Sequence, residues 1–151
     1  MIVERLWQLS CKLHRQGMRR SARLIKAINF VVFHCVLPPE AVLGRGVTLG
    51  HFGLGIVVHA NTTLGDHVHL WHHVTLAVTA AVGSPARLTI EQNVVIGAGT
   101  VVVTPRDTSL RIGAFSVIGA NSVVTHDVPS NVVVMGAPAR VIREIPPRLG
   151  R

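Results

Sequence analysis

Three histidines, His51, His72 and His73, are the side chains of this sequence best suited to carry chemistry. A neutral imidazole can accept a hydroxyl proton near pH 7, so a histidine held beside an alcohol can act as a general base. The other interpretation of His51 is structural, as a surface histidine beside a glycine-rich turn. What favours catalysis is the position that an internal repeat gives to these residues.

An aliphatic residue returns at every sixth position along most of the chain, usually followed by a small residue. The hexads begin at Leu43, Leu49, Val58, Leu64, Leu70, Leu76, Ile90, Ile96, Val102, Ile112, Ile118 and Val124. A fixed internal period decides the architecture before local propensity does, and six residues fit neither a helix nor an alternating strand. The period predicts a triangular β-solenoid in which three hexads make one coil.

The fifth position of the hexads is nearly always small or β-branched, as a tight corner that faces inward requires. It is occupied by Thr62, Val68, Val74, Val94, Thr100, Ser116 and Ser122. The period is interrupted after Leu49, Leu76 and Val102, which predicts loops thrown out of the coils. Functional residues usually lie on loops of this kind, because the residues of the coils are needed for packing.

Residues three hexads apart lie one above another in such a solenoid when the loops are left out of the count. The first column of interest holds His51, His72, Ala98 and Ala120. The column beside it holds Phe52, His73, Gly99 and Asn121. Two histidines therefore head a groove of small residues. A long, thin ligand could lie along this groove with its reactive end at His51.

The start of the chain is basic and helical in pattern. Of the 15 Lys and Arg residues, set against 7 Asp and Glu, seven fall within residues 1–26, where Glu4 is the one acid. Apolar residues recur there at helical spacing, so residues 1–35 are predicted to form one or two amphipathic helices. These helices either pack on a neighbouring subunit or lie on an anionic membrane surface, and both interpretations stay open.

The remaining sequence divides into a solenoid domain over residues 36–128 and a proline-containing tail over residues 129–151 that is predicted to be extended and to close the core. A hydrophobic content of 48% with 4% aromatic residues suits stacked aliphatic layers. Nucleic acid is not expected as a partner, because the basic stretch lacks interleaved aromatic residues. No secretory signal pattern is present, and Cys11 and Cys35 form no metal or redox motif. A cytoplasmic location is therefore expected. If the basic helices lie on a membrane, the protein is expected at its inner face.

Two segments resemble the hexapeptide-repeat acyltransferases, and within them the serine acetyltransferase group. They are LGHFGLGIVVHANTTLGDHVHLWHHVTLAV and the closing IGAFSVIGANSVVTHDVPSNVVVMGAPARVI. The helices followed by CVLPPEAVLGRG resemble short members associated with surface-polysaccharide gene products. The resemblance implies a left-handed parallel β-helix with an N-terminal helical extension, a homotrimer, and acetyl-CoA as acyl donor in a groove between adjacent subunits.

The resemblance also implies roles for individual residues. His51 matches the catalytic histidine that takes the proton of the acceptor hydroxyl as it attacks the thioester. Arg140 matches a basic position near the nucleotide end, where it could pair with phosphate. The small residues that match those along the pantetheine arm are Gly97, Ala98, Gly99, Ala114 and Ala120. The acceptor site is expected to be lined by His72, His73, Phe52 and Arg87.

The sequence departs from serine acetyltransferases around the acceptor. Gly50 and Val36 stand where the family has acidic residues, and the segment SPARLTI offers Ala86 and Arg87 in place of an Arg-His pair. In the family these groups hold the charged ends of serine, and the upstream acid orients the imidazole. For that orienting role the sequence offers Glu40, Asp66 or a backbone carbonyl.

These observations predict an acetyl-CoA-dependent O-acetyltransferase that acts on a hydroxyl of a small polar or sugar acceptor, with L-serine as the alternative acceptor. A zinc enzyme is a further alternative, because His59, His67, His69, His72 and His73 are closely spaced. No metal is expected, however, since His67 and His69 occupy different hexad positions from His72. The last alternative is a catalytically silent scaffold that the basic helices attach to an enzyme or a membrane.

Overall fold

A computed structural model of the chain describes residues 2–81 and 84–146. Within these residues two helices, α1 (Ile2–Arg15) and α2 (Arg19–Phe33), precede fourteen strands. The strands are β1 (Val42–Leu43), β2 (Thr48–Leu49), β3 (Val57–Val58), β4 (Thr62–Leu64), β5 (His69–Leu70), β6 (Thr75–Ala77), β7 (Leu88–Ile90), β8 (Val95–Ile96), β9 (Val101–Val103), β10 (Leu110–Ile112), β11 (Val117–Ile118), β12 (Val123–Val124), β13 (Val132–Gly136) and β14 (Ala139–Glu144).

The six-residue period accounts for the strands and for the core. Each of the twelve predicted first positions lies on one of the strands β1–β12, and all of them except the half-buried Leu43 are buried. The seven small or β-branched residues predicted at inward corners are all 0% exposed. The interpretation of the repeat as stacked coils is therefore confirmed, and the core consists of aliphatic layers.

The coils stack into three parallel sheets, which form the faces of a triangular prism. The first face is β1-β4-β7-β10, the second is β2-β5-β8-β11, and the third is β3-β6-β9-β12. On the second face, Leu49 pairs with Leu70, and Leu70 pairs with Ile96. Residues of successive coils are thus held one above another by ladder hydrogen bonds.

Helix α1 closes the first coil. Trp7 is fully buried, and its indole Nε1 donates a hydrogen bond to the Pro38 carbonyl at 2.9 Å. The buried Glu4 accepts a hydrogen bond from the backbone N–H of Leu49 at 3.0 Å. The amphipathic helices predicted from the sequence are confirmed, and the apolar face of α1 packs against its own solenoid.

The C-terminal segment forms a hairpin against the last coil. Strand β13 pairs in parallel with β11 and so extends the second face, and β14 returns antiparallel to β13. Val132 and Val134 are buried. The predicted extended tail is therefore a pair of strands as far as Glu144, and its last residues, 147–151, lie outside the described part of the chain. No helix in the described ranges is long and apolar enough to cross a membrane.

Candidate active site

His51 lies in a 3-10 turn, Gly50–Gly53, that projects from the first coil directly after β2. The φ angles of His51 and Phe52 are 49° and 57°, in the left-handed region, so the chain reverses sharply there. The coil resumes at Leu54, whose carbonyl accepts a hydrogen bond from the His73 N–H at 2.8 Å. The turn therefore presents His51 outside the regular coil.

The places above His72 and His73 are taken by Leu54 and Gly55 and not by His51 and Phe52, which corrects the first position of both predicted columns. Gly55 has a φ of 68°, and a Cβ built on it would overlap the His73 ring. A glycine is therefore required at this position, and Phe52 is displaced into the turn, where it is 57% exposed. Phe52 still follows the candidate base directly, at the mouth of the site.

The structure brings three predicted histidines together. The His51 and His72 rings meet edge to face, with centroids 4.7 Å apart and an interplanar angle of 87°. The His72 and His73 rings have centroids 5.4 Å apart. His72 Nδ1 is buried and has no hydrogen-bond partner among the described residues. The imidazole of His51 is thus held against a second imidazole while its own side chain stays exposed.

Trp71 is a site residue that the sequence analysis missed. Its ring centroid lies 5.8 Å from that of His51 and 4.8 Å from that of His69. Its ring also covers Gly50, where an added Cβ would come 2.8 Å from Trp71 Cε3. At Gly50, where the resemblance implies an acidic residue, the indole leaves no space for a side chain. The signal was present in the sequence, since Trp71 is the one large residue in the column Gly50, Trp71, Gly97, Gly119.

Beneath the histidines the backbone ladder continues through small residues. Gly99 N–H donates to the His72 carbonyl at 3.1 Å, and Asn121 N–H donates to the Ala98 carbonyl at 2.8 Å. His72, Ala98 and Ala120 therefore form one column, as predicted. We call the His51 turn together with this column the histidine corner. Gly97 packs directly on the next coil, because a Cβ there would lie 2.5 Å from the Ala120 nitrogen.

Three other predicted residues lie elsewhere on the protomer. Ala114 is at the corner before the second face, where its N–H donates to Glu91 Oε2 at 2.9 Å. Arg87 precedes β7 at the corner between the third and first faces, and its N–H donates to Ser109 Oγ at 3.1 Å. Arg140 lies on β14 opposite Met135, at the far end of the second face. Within one protomer, Ala114 and Arg87 do not share the histidine corner.

The carboxylates considered as partners of His51 are engaged differently. Asp66 accepts hydrogen bonds from Arg45, with Oδ2 2.7 Å from Nη2 and Oδ1 2.8 Å from the backbone nitrogen. These bonds hold the pKa of Asp66 below its usual value. Glu40 is exposed, and its charge adds to the burial that mainly raises the pKa of Cys11. The rings of His72 and Trp71, and not Asp66, contact the His51 ring.

The remaining histidines have structural contacts. His59 Nδ1 accepts a hydrogen bond from Asn61 N–H at 3.0 Å, and His69 Nδ1 lies 2.7 Å from Thr48 Oγ1. The repeat predicts exposed positions for all three; His67 is exposed, whereas His59 and His69 are half-buried. Over residues 2–81 and 84–146, no three His, Cys, Asp or Glu side chains are placed to hold a metal ion.

His69 predicts a pH dependence of stability. Burial lowers its pKa below 6.5, an effect that the Glu4 carboxylate opposes. Because the unfolded chain then binds the proton first, the free energy of unfolding should fall as the pH drops through about 6.5 toward the folded-state pKa. Urea titrations between pH 7 and pH 5 should give a flatter profile for His69→Gln and an unchanged slope for the exposed control His67→Gln. Identical profiles for wild type and His69→Gln would contradict this assignment.

The contact between Gly50 and Trp71 predicts a second effect. Gly50→Ala should lower the free energy of unfolding by about 1–3 kcal/mol, because the added methyl group meets the indole. The same substitution in a Trp71→Ala background should cost less, since the indole contact at 2.8 Å is then removed and the contact with the residue 71 Cα at 3.3 Å remains. A double-mutant cycle by urea unfolding measures the difference. An equal loss of unfolding free energy in both backgrounds would show that the Trp71 indole is not the reason why glycine is needed at position 50.

Comparisons with known proteins agree with this geometry, although no family model matches the chain. The chain is 32% identical over 136 residues to a serine acetyltransferase of Helicobacter pylori, covering 90% of this chain and 77% of that one. It is 32% identical over 163 residues to a galactoside O-acetyltransferase of Lactococcus lactis, covering 96% and 75%. With a serine acetyltransferase of Mycobacterium tuberculosis the identity is 34% over 145 residues, with 96% and 58% covered.

The solved structures agree as well. A Brucella abortus serine acetyltransferase superimposes with a TM-score of 0.85 at 34% identity, covering 95% of this chain and 56% of that one. A second structure of it, in complex with coenzyme A, has a TM-score of 0.85 at 33% identity. The protein is thus a left-handed β-helix of hexapeptide repeats, as predicted. It belongs to the serine acetyltransferase family of hexapeptide-repeat acyltransferases. The chain spans somewhat more than half the length of several of these relatives.

Proposed function

We propose that this chain transfers an acetyl group from acetyl-CoA to a hydroxyl of a small polar acceptor, with His51 as general base. The observation that carries the proposal is the histidine corner, in which the exposed His51 imidazole stands against His72 above Ala98 and Ala120. The side chains below the histidines are small, as close approach of a thin pantetheine arm to the backbone requires. The relative solved with coenzyme A supports this choice of donor.

In the proposed reaction the neutral imidazole of His51 takes the proton of the acceptor hydroxyl as that oxygen attacks the thioester carbonyl carbon. The charge that develops on the carbonyl oxygen needs hydrogen-bond donors, and we assign this role to backbone N–H groups beside the corner that are not engaged in its ladder. When the carbon–sulfur bond breaks, the His51 imidazolium returns its proton to the leaving thiolate. The balance is one ester and one free thiol, with His51 restored to its neutral form.

Of the two acceptors predicted from the sequence, L-serine has the stronger support. The relatives from Helicobacter pylori and Mycobacterium tuberculosis are both named serine acetyltransferases. A sugar hydroxyl is supported by the galactoside O-acetyltransferase of Lactococcus lactis, three quarters of which the chain covers. It is supported also by Gly50, because the resemblance implies an acidic residue there that would help to hold serine, whereas in this chain the Trp71 indole covers the position.

We further propose a homotrimer, with acetyl-CoA in grooves between adjacent subunits. Ala114 and Arg87 lie at other corners of the prism, so they can join a site with His51 only across a subunit boundary. Arg140, at the far end of the second face, is proposed to meet the phosphates of the nucleotide. Sedimentation equilibrium should give three times the chain mass of 16.2 kDa, and a monomer would contradict the shared groove.

The test of function is release of free thiol from acetyl-CoA in the presence of L-serine, galactosides and other sugars. We expect release that depends on an acceptor. Cys11 and Cys35 will add little background, because burial raises the pKa of each thiol to about 11. Folded trimer that releases no thiol with any of these acceptors would contradict the proposal and favour a silent scaffold.

A further inference from the structure

Helix α2 exposes an uncovered apolar stripe. Leu24, Ile28 and Val31 follow one another at the i, i+4, i+7 spacing of a single helix face and are 63%, 41% and 69% exposed. Val32 and Phe30 add to the exposed apolar surface toward the end of the helix. Ala22 and Asn29 are the buried residues that α2 contributes within the described part of the chain. The stripe therefore faces away from the solenoid that α1 covers.

A second stripe on the same helix is basic. Arg19, Arg23 and Lys26 repeat the i, i+4, i+7 spacing, and Arg20 adds a fourth positive charge. The sequence of α2 contains no Asp or Glu, so nothing within the helix neutralises these cations. The exposed surface of α2 thus combines an aliphatic face with an unbalanced positive charge.

A partner that covers α2 must match both its apolar stripe and its basic stripe. At 3.6 residues per turn the basic stripe lies nearly opposite the apolar stripe, so a two-fold contact through the apolar faces of two copies of α2 would leave both basic stripes in water. The chain has 7 acids against 15 Lys and Arg residues; Glu4 is buried and Asp66 and Glu91 pair with Arg45 and Arg111, which leaves Glu40, Asp107, Asp127 and Glu144 to meet the basic stripe of another copy. Nucleic acid would match the charge but would leave the aliphatic stripe in water. A bilayer with anionic headgroups satisfies both stripes at once.

We propose that α2 lies on the surface of an anionic lipid bilayer, with Leu24, Ile28 and Val31 at the acyl boundary and the basic stripe among the headgroups. The end of α2 adjoins the candidate active site, since the carbonyl of His34 accepts a hydrogen bond from Gly55 N–H at 3.0 Å. Binding would therefore hold the His51 turn close to the headgroups. This inference is independent of the acyl-transfer chemistry.

The experiment is co-sedimentation of the full chain with vesicles. We expect binding to vesicles of phosphatidylcholine mixed with phosphatidylglycerol, weaker binding to phosphatidylcholine alone, and weakening by added salt. Replacing Arg19, Arg23 and Lys26 together by glutamine should reduce the affinity for anionic vesicles by about a hundredfold, because each cation contributes separately near the surface. Leu24→Gln with Val31→Gln should reduce binding to both kinds of vesicle.

Matched controls are Arg106→Gln for the charge and Ile142→Gln for the exposed aliphatic side chain, both remote in sequence from α2 and exposed. Each control should bind like wild type, and circular dichroism should be unchanged in every variant. The proposal is overturned if the full chain stays in the supernatant with anionic vesicles, or if the α2 variants bind as wild type does. It is overturned equally if Leu24→Gln with Val31→Gln dissociates the oligomer in solution, since the stripe would then be a subunit interface.

Discussion

His51→Ala should lower kcat/KM for acetyl transfer by about a hundredfold to ten-thousandfold, the range that a positioned general base contributes. The His51 side chain is exposed and stands in a turn outside the coils, so its loss should leave the fold intact. Without it the acceptor hydroxyl keeps its proton during attack on the thioester. Thiol release under subsaturating acetyl-CoA and acceptor measures the loss.

The matched control for this variant is His67→Ala. His67 is also exposed and also has a positive φ, of 58°, but it lies at the corner before the second face. Its activity should equal that of wild type, and both variants should give the wild-type circular dichroism spectrum. If His51→Ala transferred acetyl groups at the wild-type rate, His51 would lose the role of base.

Trp7→Ala should lower the free energy of unfolding by about 3–5 kcal/mol, the usual cost of removing a large buried aromatic ring. Trp7 is fully buried between α1 and the first coil, and its loss also leaves the Pro38 carbonyl without its indole donor. Urea unfolding followed by circular dichroism measures the change. The slope with denaturant should stay near that of wild type.

Leu9→Ala, at an exposed position of the same helix, is the control and should change stability by no more than about 0.5 kcal/mol. Equal effects of the two substitutions would mean that α1 does not cap the solenoid in solution. The contact of Trp7 with Pro38 also predicts the result of removing residues 1–35. The sequence predicts a folded trimer after that truncation if the helices serve targeting alone, whereas the contacts of Trp7 and Glu4 predict a destabilised first coil.

The fold could be predicted from the sequence because its information is local and repeated. Each hexad specifies one inward aliphatic residue and one small residue at a corner. If the register were assigned wrongly in one coil, its residues would not stack on those of the next coil. The path of the His51 turn could not be predicted in the same way. The period shows that extra residues lie between Leu49 and Val58, but it does not say which of them leave the coil. Gly55 decides this, since its positive φ lets it pack on His73.

The candidate site was predictable in part for a similar reason. Stacking predicted that His72 lies above Ala98, and the ladder hydrogen bonds agree. The close approach of Trp71 to Gly50 depends on the direction of one side chain, which the period does not encode. Likewise, the apolar spacing in α1 predicts a buried face but does not identify its partner, because Trp7 and Pro38 lie 31 residues apart in sequence.

The most direct measurement for the account is a crystal structure of the protein with coenzyme A bound. The geometry predicts the thiol sulfur beside the His51 imidazole, the pantetheine arm along Ala98 and Ala120, and the nucleotide toward Arg140. Coenzyme A bound at another corner of the prism, with its sulfur out of reach of His51, would contradict the assignment of the histidine corner as the active site.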